Sequence, residues 1–342
     1  MSITATPAGA TRLRAWKPLL FIAVVVLGLL YVKWLPYWGK AFTAAETHSI
    51  GKSLLATPAA SPWLAAWDYT QLYFMAVWKA AVLGIVLGSL VQVLIPRRWL
   101  LRTLGAKTGT FWGTLLSLPG MMCSCCAAPV AAGLRRCSAS TGAAIAFWLG
   151  NPLLNPATLI FMGFVLGWQF SAARLLAGVI MVVGIAALMQ KRFPATAEVT
   201  LSVQEVESNT PFLARWGRAL WALFWGTVPV YLVAVLALGA ARVWLFPHAD
   251  GVVTNTLGWT LGMAAAGALF VIPTAAEIPI VQTLMLAGMG MGPAMALLMT
   301  LPALSLPSLI MLRQVFPAKA LLLTLLLVWL GGALTGAISM VL

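Results

Sequence analysis

Charge of either sign is scarce in this sequence: Asp, Glu, Lys and Arg make up 8% of its 342 residues, and only seven residues are acidic. A soluble fold carries roughly a quarter of its residues charged, which argues against soluble enzymes, zinc fingers and nucleic-acid modules. Histidine occurs only as His48 and His248, both between apolar runs, where solvation accounts for them. The four cysteines are neither dispersed nor set in paired CxxC units, so they suggest neither a secreted disulfide framework nor a structural zinc site. There is no Walker motif to bind ATP, and too few polar residues to ring a channel. No cofactor and no resident metal is expected.

What the chain has is apolar length. It is 62% hydrophobic with a mean hydropathy of +0.97, the composition of an integral membrane protein. A helix needs about 20 apolar residues to span a bilayer, and seven such runs occur, at 18–35, 68–96, 140–168, 172–190, 217–246, 291–312 and 320–342. Two further stretches are interrupted, 108–134 by Pro119 and Pro129 and 255–290 by Pro273 and Pro279, because proline removes a backbone donor and clashes with the preceding turn. Basic residues before the first run also describe a signal peptide, but no small-x-small cleavage site follows, and Tyr31, Trp34 and Trp38 fit the interfacial anchors of a retained helix.

The +14 net charge reports topology and contact with anionic lipid rather than nucleic acid. Placing the N-terminus in the cytoplasm of a bacterial inner membrane puts most Lys and Arg inside, Arg135, Arg136, Lys191 and Arg192 among them, as the positive-inside rule expects. Lys33, Lys40, Lys52, Arg174 and Arg242 then fall outside, and Lys79 within a span. Basic clusters flank 108–134 on both sides, so that stretch is expected to enter and return as a re-entrant hairpin, buried in protein or lining water. The stretch 255–290 is read likewise.

Sliding the chain by 150 positions brings Pro129 onto Pro279, Gly142 onto Gly292, Ala146 onto Ala296 and Pro152 onto Pro302, with Asn155 facing Ser305. The two units so defined enter the membrane from opposite sides, the arrangement of alternating-access transporters. The expected fold is therefore an all-α polytopic membrane protein of inverted-topology repeats with two re-entrant hairpins. Residues 1–67 form an N-terminal transmembrane helix and external loop (36–67), 68–192 the first repeat, 193–214 a cytoplasmic linker and 215–342 the second repeat.

The first hairpin tip reads Cys123-Ser124-Cys125-Cys126. Three thiols at a helix break make a compact soft-ligand site, although a buried cysteine also serves as a small hydrophobe. Cys137 follows two arginines and reads as a plain interfacial thiol. Six acidic residues fit loops or span ends. The seventh, Glu277, lies between Pro273 and Pro279 at the repeat position of Ala127, and an ionisable group at membrane depth is functional by default. It can bind a proton or a cation, or pair with Lys79. Asn151 and Asn155 precede prolines inside a span, where they can coordinate a polar substrate or bond between helices.

The run LPGMMCSCCAAPVAAGLRRCSASTGAAIAFWLGNPLLNPATLI, with the later EIPIVQTLMLAGMGMGPAMALLMTLPALSLPSLI, resembles the two signature regions of a bacterial predicted-permease family that contains the organoarsenical efflux permeases. The resemblance covers about residues 68–340. One departure is Cys126, where the family pattern has glycine. The resemblance implies export of small substrates, arsenicals for only some members.

The expectation is thus a permease, not an enzyme, that moves a small thiol-reactive or thiol-containing solute by alternating access. Cys123, Cys125 and Cys126 contact the solute, Asn151, Asn155 and Ser305 orient it, and Glu277 with Lys79 couples a proton. Its partners are the solute and membrane lipid, with no nucleic acid. The alternative is a membrane thiol oxidoreductase that uses the same cysteine cluster, which requires an accessible thiolate and a resolving thiol.

Overall fold

The structure, a computed structural model, describes residues 9–51, 62–194, 211–245 and 253–341, and every regular element among them is helical. Helix α1 (Gly9–Leu29) runs through a π turn (Leu30–Trp34) into α2 (Leu35–Thr47). There follow α3 (Pro62–Leu94), α4 (Arg97–Thr103), α5 (Gly109–Ser117) with a 3₁₀ turn (Leu118–Gly120), α6 (Ser124–Arg136), α7 (Thr141–Leu153), α8 (Pro156–Val165) and α9 (Trp168–Arg192). The second half contains α10 (Phe212–Leu245), α11 (Leu257–Leu269), α12 (Glu277–Leu286), α13 (Met291–Ala303), α14 (Leu306–Leu312) and α15 (Ala318–Ser339). Among the described residues, 7 helical stretches are long and apolar enough to cross a membrane, and they overlay the seven runs read from the sequence. The protein is a multi-pass membrane protein.

The expected external loop at 36–67 is corrected at its start, because the first span continues as helix to Thr47. Pro36 comes just after the π turn, where its missing N–H interrupts the backbone ladder that α1 and α2 would otherwise share. Tyr37, Ala41 and Ala44 then give α2 an apolar face, which packs on α8. The loop is corrected at its end too, since α3 begins at Pro62; residues 52–61 lie outside the described residues, as do His248, Asp250 and residues 195–210 of the linker with Glu198, Glu205 and Glu207.

Two broken spans form the centre. In α7 every residue is buried, and in α13 all but the first. Their partners begin at matching places: α7 and α13, α8 and α14, and α9 and α15 each start 150 residues apart, at 141 and 291, 156 and 306, and 168 and 318. Packing repeats too, since α7 lies between α5 and α9, and α13 between α11 and α15. The peripheral helices turn Leu, Val and Trp side chains outward, as lipid-facing surfaces require.

Helix α3 pairs the halves by packing on α10, and it also carries α6. Its buried stripe, Tyr69, Tyr73, Val77, Ala80, Leu83 and Leu87, recurs at helical spacing. On the same helix Gly84 and Gly88 form a small-xxx-small pair that lets backbones meet. A Cβ at Gly84 would collide with the carbonyl of Cys126, and one at Gly88 with that of Pro129. The thiol tip is therefore seated against bare helix backbone. Gly88→Ala should lower the thermal midpoint in detergent by an amount worth about 1–3 kcal/mol, the cost of overpacking. Gly39→Ala, with nothing within 4 Å of the added methyl, should hold or raise it through helix propensity.

Candidate functional site

The site grows out of the break between α7 and α8. Pro156 has no N–H, so the carbonyl of Pro152 loses its helical donor. Asn155 caps α8 by accepting from the N–H groups of Ala157 (3.1 Å) and Thr158 (3.3 Å), which leaves the carbonyl of Leu153 free as well. Orphan carbonyls at membrane depth must find donors. Arg174 of α9 supplies them, its Nη2 donating to Pro152 O at 2.7 Å and its Nε to Leu153 O at 3.3 Å. The remaining prong, Nη1, meets Glu277 Oε1 at 2.9 Å, with both side chains buried. The first residue of α12 in the second half is thereby clamped to the broken span of the first.

A mirrored contact runs the other way. Ser305 caps α14 in a reciprocal arrangement with Ser308, and Ser124, the first residue of α6, donates to its Oγ at 3.2 Å. Trp148, fully buried, donates to the carbonyl of Ser124 at 3.0 Å. Asn151 accepts from Met122 N–H at 3.4 Å and donates to Phe147 O at 2.9 Å, so its amide holds the turn before α6. Met121 and Ala275, in the turns before the two tips, adopt left-handed φ values of 48° and 71°, uncommon for residues with a side chain.

Cys123 ends the turn in extended geometry, and Cys125 and Cys126 occupy the first turn of α6. All three are free, buried thiols. Cys123 Sγ lies 3.3 Å from Cys125 Sγ and 2.7 Å from Cys126 Sγ, and the three sulfurs fall within 4.8 Å of one another, close enough to share one soft atom. Tyr73 Oη sits 3.0 Å from Cys125 Sγ and Tyr231 Oη 3.9 Å from Cys126 Sγ. Lys33, on the π turn, is buried beside them, donating to Thr274 Oγ1 at 3.0 Å and Tyr37 Oη at 3.1 Å.

Between the two halves lies a small cavity with room for about one water molecule, lined by Cys123, Pro152 and Thr158 from the first half and by Ile272 to Ala275, Glu277 and Pro302 from the second. Three buried polar atoms in and beside it have no partner among the described residues: Thr158 Oγ1, Glu277 Oε2 and Asn155 Nδ2.

Of the residues singled out in the sequence, Cys123 and Glu277 line the cavity, Cys125 and Cys126 adjoin Cys123, and Asn155 lies in the break with its amide nitrogen unpartnered among the described residues. Asn151 and Ser305 spend their hydrogen bonds on protein. The expected pairing of Glu277 with Lys79 is corrected. Lys79 stands one position off the buried stripe of α3, exposed beside the rings of Tyr31 and Trp78, and Arg174 takes its place. Lys33 and Arg174, expected outside the membrane, are both buried. Arg174 could have been found, for it shares a face with Gly178, Val182, Ile185 and Met189 at helical spacing. Lys33 gave one signal, a cation within an apolar run. Nothing in the sequence marked Tyr73 and Tyr231 among the other aromatics.

Comparison with known proteins finds relatives over most of the chain. The UPF0718 protein YraQ of Escherichia coli (strain K12) is 66% identical over 335 residues, 97% of each chain. The UPF0718 protein MJ0584 of Methanocaldococcus jannaschii is 21% identical over 330 residues, covering 76% of this chain and 90% of its own. No solved structure matches. Residues 63–341 match the family described as a predicted permease. With a family match over most of its length and a relative 66% identical along nearly all of it, the chain belongs to that predicted-permease family.

Proposed function

We propose that this permease moves a small thiol-reactive or thiol-containing solute outward across a bacterial inner membrane, by alternating access between two inverted repeats and coupled to protons. The observation that carries this reading is the cavity, whose walls come from both halves and bring Cys123 together with Glu277. The 150-residue periodicity of helix starts supports the repeat. Helices of 9 and 13 residues in the first tip and 13 and 10 in the second reach on the order of 14–20 Å at the helical rise. A bilayer core is about 30 Å thick, which supports hairpins that return to the side they entered from.

In this mechanism the soft atom of the solute sits against Cys123, with Cys125 and Cys126 completing a three-sulfur wall. Asn155 Nδ2 and the Thr158 hydroxyl, without partners among the described residues, orient the polar end. Glu277 keeps one oxygen on Arg174 and offers the other to the cavity, where it takes up and releases a proton. A second reading, a membrane thiol oxidoreductase, draws on the 2.7 Å approach of Cys123 and Cys126 at the start of α6.

Replacing Cys123 and Cys125 with Ser keeps size but removes softness. The double variant should fold and lose carrier-dependent flux of trivalent arsenicals or low-molecular-weight thiols by about tenfold or more, equivalent to about 1.4 kcal/mol, in proteoliposomes. Undiminished flux would reduce the cluster to packing, while thiol oxidation lost with transport intact would favour the oxidoreductase. Glu277→Gln retains an acceptor for Arg174 and removes the titrating group. It should still bind solute and lose acceleration by an imposed pH gradient, and a pH dependence equal to the parent's would remove Glu277 from coupling. For the topology, single cysteines introduced at Lys191 and Glu46 should label from the cytoplasmic and external faces respectively. Labelling of both from one face would end the orientation proposed.

A further inference from the structure

Three sulfurs converge at the start of α6, from Cys123 just ahead of the helix and from Cys125 and Cys126 on its first turn. All are buried, and none is in a disulfide. Around one metal ion at about 2.3 Å, three sulfurs stand about 4 Å apart. The pairs now at 2.7 and 3.3 Å need to widen by only about an ångström to reach that spacing, a matter of side-chain rotation. No histidine, carboxylate or fourth cysteine joins the group among the described residues. A zinc-type ion takes four ligands in a tetrahedron, whereas a soft monovalent ion such as Cu(I) is satisfied by two or three thiolates. Tyr73 Oη at 3.0 Å from Cys125 Sγ and Tyr231 Oη at 3.9 Å from Cys126 Sγ can each donate to a thiolate formed there, the outer support that metal ligands require.

Charge and size point the same way. The cavity wall beside Cys123 carries one ionisable oxygen group, Glu277, whose Oε2 is buried without a partner among the described residues. Thr158 Oγ1, in the same wall, is likewise unpartnered. Both are oxygen ligands for an arriving cation. Lys33 is buried close enough to Cys123 and Cys126 for their charges to interact. Thiols lose their protons to solvent as metal–sulfur bonds form. Two thiolates then balance Lys33 and one monovalent cation, so the loaded site carries no net charge into a medium that penalises one. An organoarsenical on the same two thiolates is neutral and would leave Lys33 uncompensated. Room for about one water molecule admits a stripped ion and excludes a solute that carries an organic group.

We infer that Cys123, Cys125 and Cys126 form a site for one soft monovalent cation of the Cu(I) type, and that such a cation is the solute. The inference rests on the transport reading above and narrows its thiol-reactive class to a metal ion carried as cargo, which passes the oxygens of Glu277 and Thr158 on its way to sulfur. The full chain, purified under reducing conditions, is loaded with Cu(I) against a competing Cu(I) chelator. The metal it withholds is counted, and its neighbours are read by X-ray absorption. Wild type and Cys137→Ser should each withhold one Cu(I) with only sulfur neighbours. Tyr73→Phe, which removes one hydroxyl, should weaken retention by about 10–100-fold, and Cys123→Ser or Cys126→Ser, which removes a ligand, by about 100-fold or more. In proteoliposomes the wild type should carry Cu(I), and Cys123→Ser should not. No withheld Cu(I), or retention unchanged in both cysteine variants, would overturn the metal site, and flux of phenylarsine oxide in the same vesicles would then leave the transport reading standing. Retention at the cysteines with flux of phenylarsine oxide alone would overturn Cu(I) as the solute. Wild-type flux of neither probe would overturn the transport reading and, with it, the cargo role inferred here.

Discussion

Arg174 closes a circuit that starts with a proline. Pro156 cannot donate, Asn155 diverts the next N–H, and two carbonyls are left without helical donors among buried residues. A guanidinium can satisfy both from one fixed plane, which an ammonium could not, but it brings a charge that hydrocarbon does not accept. Glu277 answers that charge from the other half. Parting a buried pair of this kind by removing one member costs on the order of 3–5 kcal/mol. The helix break, the position of α12 and the cavity wall are thus one interdependent unit.

The thiol cluster depends on a different economy of space. Three sulfurs, two tyrosines and a lysine occupy a volume between helices only because α3 presents Gly84 and Gly88 to the backbone of α6. Lipid supplies no hydrophobic drive to press helices together, so close contact between small residues does that work. Cys123 is the thiol that reaches the cavity, while Cys125 and Cys126 face the tyrosine hydroxyls. The three are therefore unequal in access although adjacent in sequence.

The spans were legible in the sequence because hydropathy over about 20 residues is set by the bilayer rather than by neighbouring helices. The 150-residue offset was legible too, since prolines fix where helices break, and the starts of α7, α8 and α9 recur in α13, α14 and α15. Charge was read less well. Counting Lys33 and Arg174 by their distance along the chain from a span end put them in water, whereas the face of the helix on which they lie puts them inside. Lys79 shows the converse, a cation in mid-span turned outward by about 100° from the buried stripe. Which aromatic residues meet the sulfurs is decided by contacts across the bundle, Tyr73 from α3 and Tyr231 from α10, and no local pattern encodes that.

Two polar crossings between the halves, alike in placement, are unlike in bond character. At one, a guanidinium ties a carboxylate and two carbonyls. At the other, two serine hydroxyls touch at 3.2 Å, a neutral contact worth roughly 0.5–1.5 kcal/mol that any passing water can replace. The first crossing therefore ties charge and broken backbone together, whereas the second adds a neutral bond to the packing of α14 on α6.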